Sequence, residues 1–231
     1  MTTPLENAAT WVVMPCYNED GSLDAVLDAV TRYGYSVVVV DDGSMVAAST
    51  HVARADVRVL RHCVNLGQGA ALQTGIDYAL MHRAQYVVTF DSDGQHRAEE
   101  IADLVDALRA SSSDIALGTR FGQGGRAVDI STARRLTLRL ATRLTRLTTG
   151  LALTDTHNGF RAMTRSAASR IRITQNRMAH ASQILDEIAR QSMTFVEVPV
   201  TICYTEYSLA KGQRMSNAFN ILWESLAGRF S

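Results

Sequence analysis

The chain reads as an α/β protein with a mostly parallel central sheet flanked by helices, and three features of its 231 residues predict this. Short apolar runs alternate with amphipathic helical segments, a pattern that in one sheet demands right-handed crossovers and parallel strands. One run, Val37-Val38-Val39-Val40, has no polar alternation, as expected of a strand buried on both faces. Polar, acidic clusters stand where the apolar runs end.

Taken in order, residues 10–14 form a short apolar strand ending at Pro15. A helix over 20–33 follows, with Leu23, Val26, Leu27 and Val30 on one face and Gly34 to stop it. Residues 36–40 and 57–61 are the second and third strands. A helix over 69–82 places Leu72, Ile76, Ala79 and Leu80 on one side. A strand over 86–90, a helix over 98–110 and a strand over 114–117 continue the alternation. Beyond Gly118 the pattern loosens. A glycine-rich loop over 121–125 precedes a strongly patterned helix over 131–148, then a smaller mixed β region over 195–204 broken at Pro199, then a final helix over 217–228. No repeat or low-complexity linker divides the chain, so one domain over 1–231 is expected, its halves 1–118 and 119–231 sharing a sheet.

Composition excludes several classes. Lys+Arg and Asp+Glu are both 23, so no global field recruits nucleic acid. Cys16, Cys63 and Cys203 are sparse and lack a Cys-x-x-Cys pair, which fits reduced, buried thiols. The start carries Glu6 and no apolar core of a signal peptide, and no window approaches the ~20 apolar residues of a membrane span. A cytoplasmic protein is expected, at most peripheral at the inner face of the plasma membrane.

Three clusters fall at strand ends, where open α/β sheets bind ligands: Pro15-Cys16-Tyr17-Asn18-Glu19, Asp41-Asp42-Gly43-Ser44 and Asp91-Ser92-Asp93-Gly94-Gln95-His96. Five carboxylates converging on one sheet edge repel one another unless a cation or ligand hydroxyls share the site. Asp91, Asp93 and Gln95 offer only oxygen ligands, which suits Mg²⁺ or Mn²⁺ bridging phosphates. A lone Asp-x-Asp is ordinarily a solvated turn; three clusters in register make a metal site the stronger expectation.

These residues resemble family 2 glycosyltransferases of the GT-A fold, in the polyprenyl-phosphate (dolichol-phosphate) mannosyl- and glucosyltransferase-like branch. The likeness continues through Asn65-Leu66-Gly67-Gln68-Gly69, Gly118-Thr119-Arg120, Asp155 to Arg161, Glu197-Val198-Pro199, Tyr204-Thr205-Glu206-Tyr207-Ser208 and Lys211-Gly212-Gln213. The resemblance implies that 1–118 binds a GDP- or UDP-linked sugar, with Pro15, Tyr17, Asn18, Glu19, Asp42, Gly69, Asp91 and Ser92 around the nucleotide. It implies a metal on Asp91, Asp93 and Gln95, and Asp93, Arg120 and Asp155 at the reacting centre. Arg120, Arg134 and Arg135 would meet the acceptor phosphate in 119–231, and Lys211, in a mobile segment 204–214, would close over the donor diphosphate. Where many relatives carry Lys this chain has Gln68. Where relatives that glycosylate hydroxyls place an Asp base, the stretch His180-Ala181-Ser182-Gln183-Ile184-Leu185-Asp186-Glu187 has no acid before Asp186. A phosphate acceptor, already an anion, needs no base.

Three rivals remain at this point. Transfer to a sugar hydroxyl of a surface glycan would want Asp186 or Glu187 in the cleft. A nucleotidyltransferase would want a Gly- and Lys-bearing loop after the first strand, where Pro15 to Glu19 has neither. A non-catalytic nucleotide-sugar-binding module would have lost the metal triad. A lipid-phosphate or glycan acceptor, a peripheral membrane contact and a homodimer are all compatible with the chain.

Between Ile130 and Thr154 there are five arginines and no acid. Leu136, Leu140, Leu144 and Leu147 make one stripe, with Arg135, Arg139, Arg143 and Arg146 beside it. The expectation is that the leucines face the core and the arginines solvent; the rival is a surface for lipid headgroups. His62, His82 and His180 are expected to be structural, His96 and His157 to touch ligand, and Met163, Met178 and Met193 to be core.

Overall fold

A computed structural model describes residues 7–204 apart from Asp20, His51, Ala53, His157 and Met178. Its strands are β1 (Thr10–Cys16), β2 (Ser36–Asp41), β3 (Val57–Arg61), β4 (Tyr86–Thr89), β5 (Ile115–Thr119), β6 (Arg126–Val128), β7 (Arg161–Thr164), β8 (Phe195–Pro199) and β9 (Thr201–Cys203). Its helices are α1 (Leu23–Thr31), α2 (Gln68–Met81), α3 (Glu100–Ser111), α4 (Thr132–Thr149), α5 (Arg165–Arg170) and α6 (His180–Arg190). Seven strands form the central sheet in the order β3-β2-β1-β4-β7-β5-β8, and β6 pairs with β9 in a small second sheet. The expected α/β fold with a mostly parallel sheet is present. Among the described strands only β7 runs against its neighbours, antiparallel to both β4 and β5.

The valine run shows why the strands lack alternation. Val37 and Val39 join one core with Leu23 and Leu27 of α1 and Ile101, Leu104 and Leu108 of α3. Val38 and Val40 join the other, with Leu72 and Ile76 of α2 and Ile184 and Leu185 of α6. Helices cover both faces, so every side chain of the strand finds apolar neighbours. Pro199 does end β8: the chain turns at Val200, whose carbonyl accepts from the Arg126 amide, and enters the small sheet as β9.

Some expectations are corrected. β1 runs on through Pro15 to Cys16, where Pro15 lies opposite Val40. β6, β7, α5 and α6 are additions to the sequence reading: the first three are three, four and six residues long, too short for a periodic signal, and α6 is mostly polar. Met163 and Met193 are core; Met178, His157, Lys211, the rest of 205–214 and the helix over 217–228 lie outside the described residues. Cys16 is buried, but Cys63, in the loop after β3, is exposed.

The largest correction is α4. Its buried residues are Ala141 and Thr142, while Leu136, Leu140, Leu144 and Leu147 are 69%, 54%, 37% and 83% exposed. The leucine stripe faces outward, not into the core. The inner face uses hydroxyls instead: Thr142 Oγ1 donates to the Leu138 carbonyl and lies 3.3 Å from Thr156 Oγ1.

Candidate active site

The chain leaves β1 in one direction for β2 and β3, and returns on its other side as β4. The crevice at the carboxyl ends of β1 and β4 is therefore the place where this topology exposes a ligand site. Antiparallel β7 brings its first residue, Arg161, opposite Thr89 at the same edge.

The five carboxylates there are of two kinds. Asp41 and Asp42 are committed to the protein. Asp41 is fully buried; burial pushes its carboxyl up, but the Ser44 and Ala48 amides and Arg61 hold it below the usual range. Asp42 accepts from the amides of Leu66 (2.9 Å) and Gly67 (2.7 Å), and meets His62 Nδ1 at 2.7 Å. His62 is in turn braced by Thr74 at 3.0 Å. Asp42 thus holds the turn that launches α2, a role the sequence did not reveal.

Glu19, Asp91 and Asp93 are the second kind. Ser22 Oγ lies 3.1 Å from Glu19 Oε2 and 2.9 Å from the Ser92 carbonyl, and Ser92 Oγ donates to the Pro15 carbonyl. These bonds stitch the loop after β1 to the loop after β4. Asn18, at φ 50°, donates its backbone N–H to Ser44 Oγ, while its side-chain oxygen accepts from the Met45 amide. Tyr17 stays 43% exposed at the mouth.

Asp91 has an insufficient set of compensating partners. Burial pushes its carboxyl up to about 6 despite Arg161, with Glu19 adding repulsion and Gln68 Nε2 donating at 3.1 Å. Gln68, where relatives were expected to carry Lys, thus faces this carboxylate. Burial and then the Asp91 charge push Asp93 upward, against the amide and side chain of Gln95. Gly159 lies close alongside: a Cβ there would sit 3.0 Å from Asp91 Oδ2, and the carboxylate would have to give by a few tenths of an ångström. His96 is buried rather than open to ligand: its ring stacks on Phe160, Nδ1 accepts from the Asp91 amide, and burial depresses it to about 4.

A dication suits this donor set. Two half-buried carboxylates repel one another, all ligands are oxygen, and a half-turn of the Gln95 amide presents its oxygen in place of its nitrogen. Among the described residues, no group of three His, Cys, Asp or Glu forms a cage by itself. Asp91, Asp93 and Gln95 are two carboxylates and an amide, which leaves open positions for a ligand.

On the other side of the crevice, Arg120 is locked in place. Its backbone amide, Nε and Nη2 all donate to Asp155, at 3.0, 2.7 and 2.8 Å, and Nη1 donates to the Tyr204 hydroxyl at 2.6 Å. Burial opposes the charge, but Asp155 and Tyr204 fix it. Three of the five guanidinium N–H groups thus donate within the protein, so Arg120 braces this loop, and Asp155 is turned to Arg120. Arg134 lies over the Tyr204 ring, 4.9 Å from its centroid, and Arg135 is exposed.

Gly69 also changes role. Its amide donates to the Asn176 carbonyl at 2.7 Å, and a Cβ there would meet the Gln175 carbonyl at 2.1 Å. Its missing side chain lets the 175–176 segment pass. Arg161, which burial lowers to about 10 against the pull of Asp91 and Asp155, is a site residue that only its motif hinted at. His180 is structural as expected, and His82 packs on Trp11 and Tyr78. Glu187 is held by Arg190 and Gln191.

The chain is similar to known proteins over most of its length. A family model described as glycosyl transferase family 2 matches residues 11–172. An uncharacterized protein of Methanocaldococcus jannaschii is 32% identical over 93% of this chain and 89% of its own length. An undecaprenyl-phosphate mannosyltransferase of Micrococcus luteus is 31% identical over 86% of this chain and 85% of its own. Among solved structures, glucosyl-3-phosphoglycerate synthase of Mycobacterium tuberculosis, in complex with Mn²⁺ and UDP-glucose, superposes with a TM-score of 0.70. It is 17% identical, and the match covers 99% of this chain and 83% of that one.

Proposed function

The chain belongs to glycosyl transferase family 2, and from that premise we propose that it transfers a sugar from a nucleoside-diphosphate sugar to a polyprenyl phosphate, inverting the anomeric carbon. One observation carries the reading: Asp91 and Asp93, two half-buried carboxylates with the Asp91 charge opposing ionisation of Asp93, stand at the β1/β4 crevice. Residues 1–118 hold the donor and residues 119–231 the acceptor.

Tyr17, Asn18 and Glu19 line the donor side, with Ser92 fixing their loop through Pro15. A divalent cation, Mg²⁺ or Mn²⁺, held by Asp91, Asp93 and Gln95 would neutralise the charge that builds on the departing diphosphate. The acceptor's phosphate oxygen attacks the anomeric carbon from the face opposite the diphosphate. The C–O bond to the acceptor forms as the C–O bond to the nucleoside diphosphate breaks, and no proton moves. Arg134 and Arg135 would orient that phosphate, as guanidinium groups do by paired hydrogen bonds. Arg120 and Asp155 keep the loop rigid between the two sides. The acceptor reading gains support from Glu187, which is engaged at the far end of α6 and so does not serve as a base for a hydroxyl.

The test offers one labelled nucleotide sugar to a short polyprenyl phosphate and to oligosaccharides, with Mn²⁺ and with EDTA. Transfer to the polyprenyl phosphate alone, and only with metal, is the expected result. Transfer to the oligosaccharide alone overturns the acceptor, and undiminished transfer in EDTA overturns the metal. Arg134→Ala should raise the acceptor KM with donor binding unchanged.

A further inference from the structure

We propose that Arg161, with Asp91 and Gln68 beside it, grips hydroxyl groups of the donor sugar and so decides which sugar is accepted. The inference deepens the donor reading above and rests on it.

Its basis is an arginine that the fold buries and hardly uses. Arg161 opens β7 and is 3% exposed. A guanidinium carries five N–H donors, and burying it is costly unless acceptors take them up. Among the described residues Arg161 makes one hydrogen bond, from Nη2 to the Ala181 carbonyl at 3.3 Å, and no ion pair. Arg120 shows the contrast. It is similarly buried, yet Nε, Nη1 and Nη2 all donate, at 2.7, 2.6 and 2.8 Å. Most of the Arg161 donors are left for something else.

The surroundings narrow what that is. Arg161 pairs with Thr89, the last residue of β4, and Asp91 follows two residues on. Side chains alternate along a strand, so Arg161 shares the face of Met163, towards α2 and α6. On that side Gln68, the first residue of α2, donates Nε2 to Asp91 Oδ1 at 3.1 Å. The charges of Asp91 and then Asp155 act on Arg161, but neither carboxylate touches it. Asp155 is already taken by Arg120. Asp91 keeps 30% of its side chain open to the crevice. His180, beside Ala181, is kept neutral by burial and supplies no counter-charge.

A group lodged between Arg161 and Asp91 must accept from a guanidinium and donate to a carboxylate. A phosphate does only the first, and it would face the charges of Asp91 and Asp155. A hydroxyl does both. Neighbouring hydroxyls on a sugar ring also match the fixed N–H fork of arginine, and the half-buried Gln68 amide adds an oxygen that accepts. A carboxylate has lone pairs enough to serve a cation and a hydroxyl together, so Asp91 need not leave the metal set. Sites that hydrogen-bond a substrate hydroxyl reject analogues that lack or misplace it. Sugar choice would therefore reside at Arg161, and charge neutralisation at Asp91, Asp93 and Gln95.

Calorimetric titration of the full chain with Mn²⁺ present compares UDP-glucose, UDP-N-acetylglucosamine and GDP-mannose with UDP and GDP. Arg161→Gln should weaken the nucleotide sugar that the wild type binds best by about tenfold to a hundredfold. The matching nucleoside diphosphate should change by less than about twofold, and the preference among sugars should shrink. Arg161→Lys keeps the charge without the fork and should recover only part of the loss. An equal loss for the nucleoside diphosphate overturns the proposal, because Arg161 then meets phosphate. Unchanged affinity for the nucleotide sugar also overturns it. So does a loss in both that tracks a fall in melting temperature, since Arg161 is then a brace between β7 and α6. If neither variant folds, the wild type decides, with donors in which one sugar hydroxyl at a time is replaced by fluorine. At least one should bind about tenfold more weakly, and full affinity for every analogue overturns the proposal. Failure of the donor reading looks different: the wild type would bind neither the nucleotide sugars nor the nucleoside diphosphates.

Discussion

Helices α3 and α4 carry similar leucine-rich patterns and sit oppositely in the molecule. α3 buries Ile101, Leu104, Val105 and Leu108 against the sheet and turns its charges out. α4 buries Ala141 and Thr142 and turns four leucines out among its arginines. The same contrast divides the polar groups. Asp41 and Asp42 are saturated by backbone amides, whereas Asp91 and Asp93 are crowded by like charge. Amphipathic period says that a helix has two faces, but not which one the fold requires. Likewise an acidic cluster at a strand end does not say which carboxylates the loops consume.

The largest effect should separate the two kinds of carboxylate. Asp93→Asn should reduce transfer by about a thousandfold or more, the scale for losing one preorganised electrostatic contact. Its stability in urea should hold or rise, because the wild-type charge is held against burial and against Asp91. A variant that unfolds easily would place Asp93 with Asp42 instead.

Next in size is the core helix. Leu104 is fully buried, and Leu104→Ala should cost about 2–5 kcal/mol in urea unfolding. Asp42→Ala should follow with about 1–3 kcal/mol, since the Leu66 and Gly67 amides would lose their acceptor. An Asp42→Ala protein with native stability and lost nucleotide affinity would return Asp42 to the donor site.

Much of this was legible in the sequence, and the limits have physical causes. The parallel frame follows from apolar runs and their spacing, because two-sided burial leaves no room for polar alternation. The crevice follows from topology, since strand ends and acidic turns coincide there. Antiparallel β7 was not legible: Arg161-Ala162-Met163-Thr164 is too short to carry a period and begins with a charge. The commitments of Arg120, Asp155 and Gly69 were not legible either. They depend on partners 35 and 107 residues away, Asp155 for Arg120 and Asn176 for Gly69. Motif position identifies such residues without saying what their atoms face. α4 shows the same limit at the scale of a helix.

A titration tests the structural assignment of His180. Burial depresses it to about 4, and Nδ1 bonds the Arg177 carbonyl at 2.7 Å. The folded state keeps the ring neutral where the unfolded chain, near its ordinary 6.5, takes a proton. Stability from this group is therefore full above about 6.5, falls as pH drops towards 4, and levels off below. Between pH 7 and 5 the loss should be on the order of 2 kcal/mol. Asp91, pushed up to about 6, has the opposite sign, since the folded state binds its proton first. It is common to both proteins when wild type is compared with His180→Gln, whose stability should depend less on pH over this window. Identical pH slopes would show that His180 is open to protonation in the fold.

The smallest expected effect bears most directly on the two helices. Leu140→Ala in α4 removes as many methyl groups as Leu104→Ala in α3, and alanine is at least as good a helix former. Cavity cost arises only where neighbours surround the lost atoms, and Leu140 is 54% exposed. Water already reaches its side chain, so the change should stay within about 0.5 kcal/mol, the range of an ordinary surface substitution. Measured side by side in urea, the pair should differ severalfold at identical chemistry. If Leu140→Ala instead costs as much as Leu104→Ala, the stripe is covered in the folded protein, α4 and α3 are alike, and the outward leucines have an occupant within the assembly. A near-zero value leaves them free to meet something outside it.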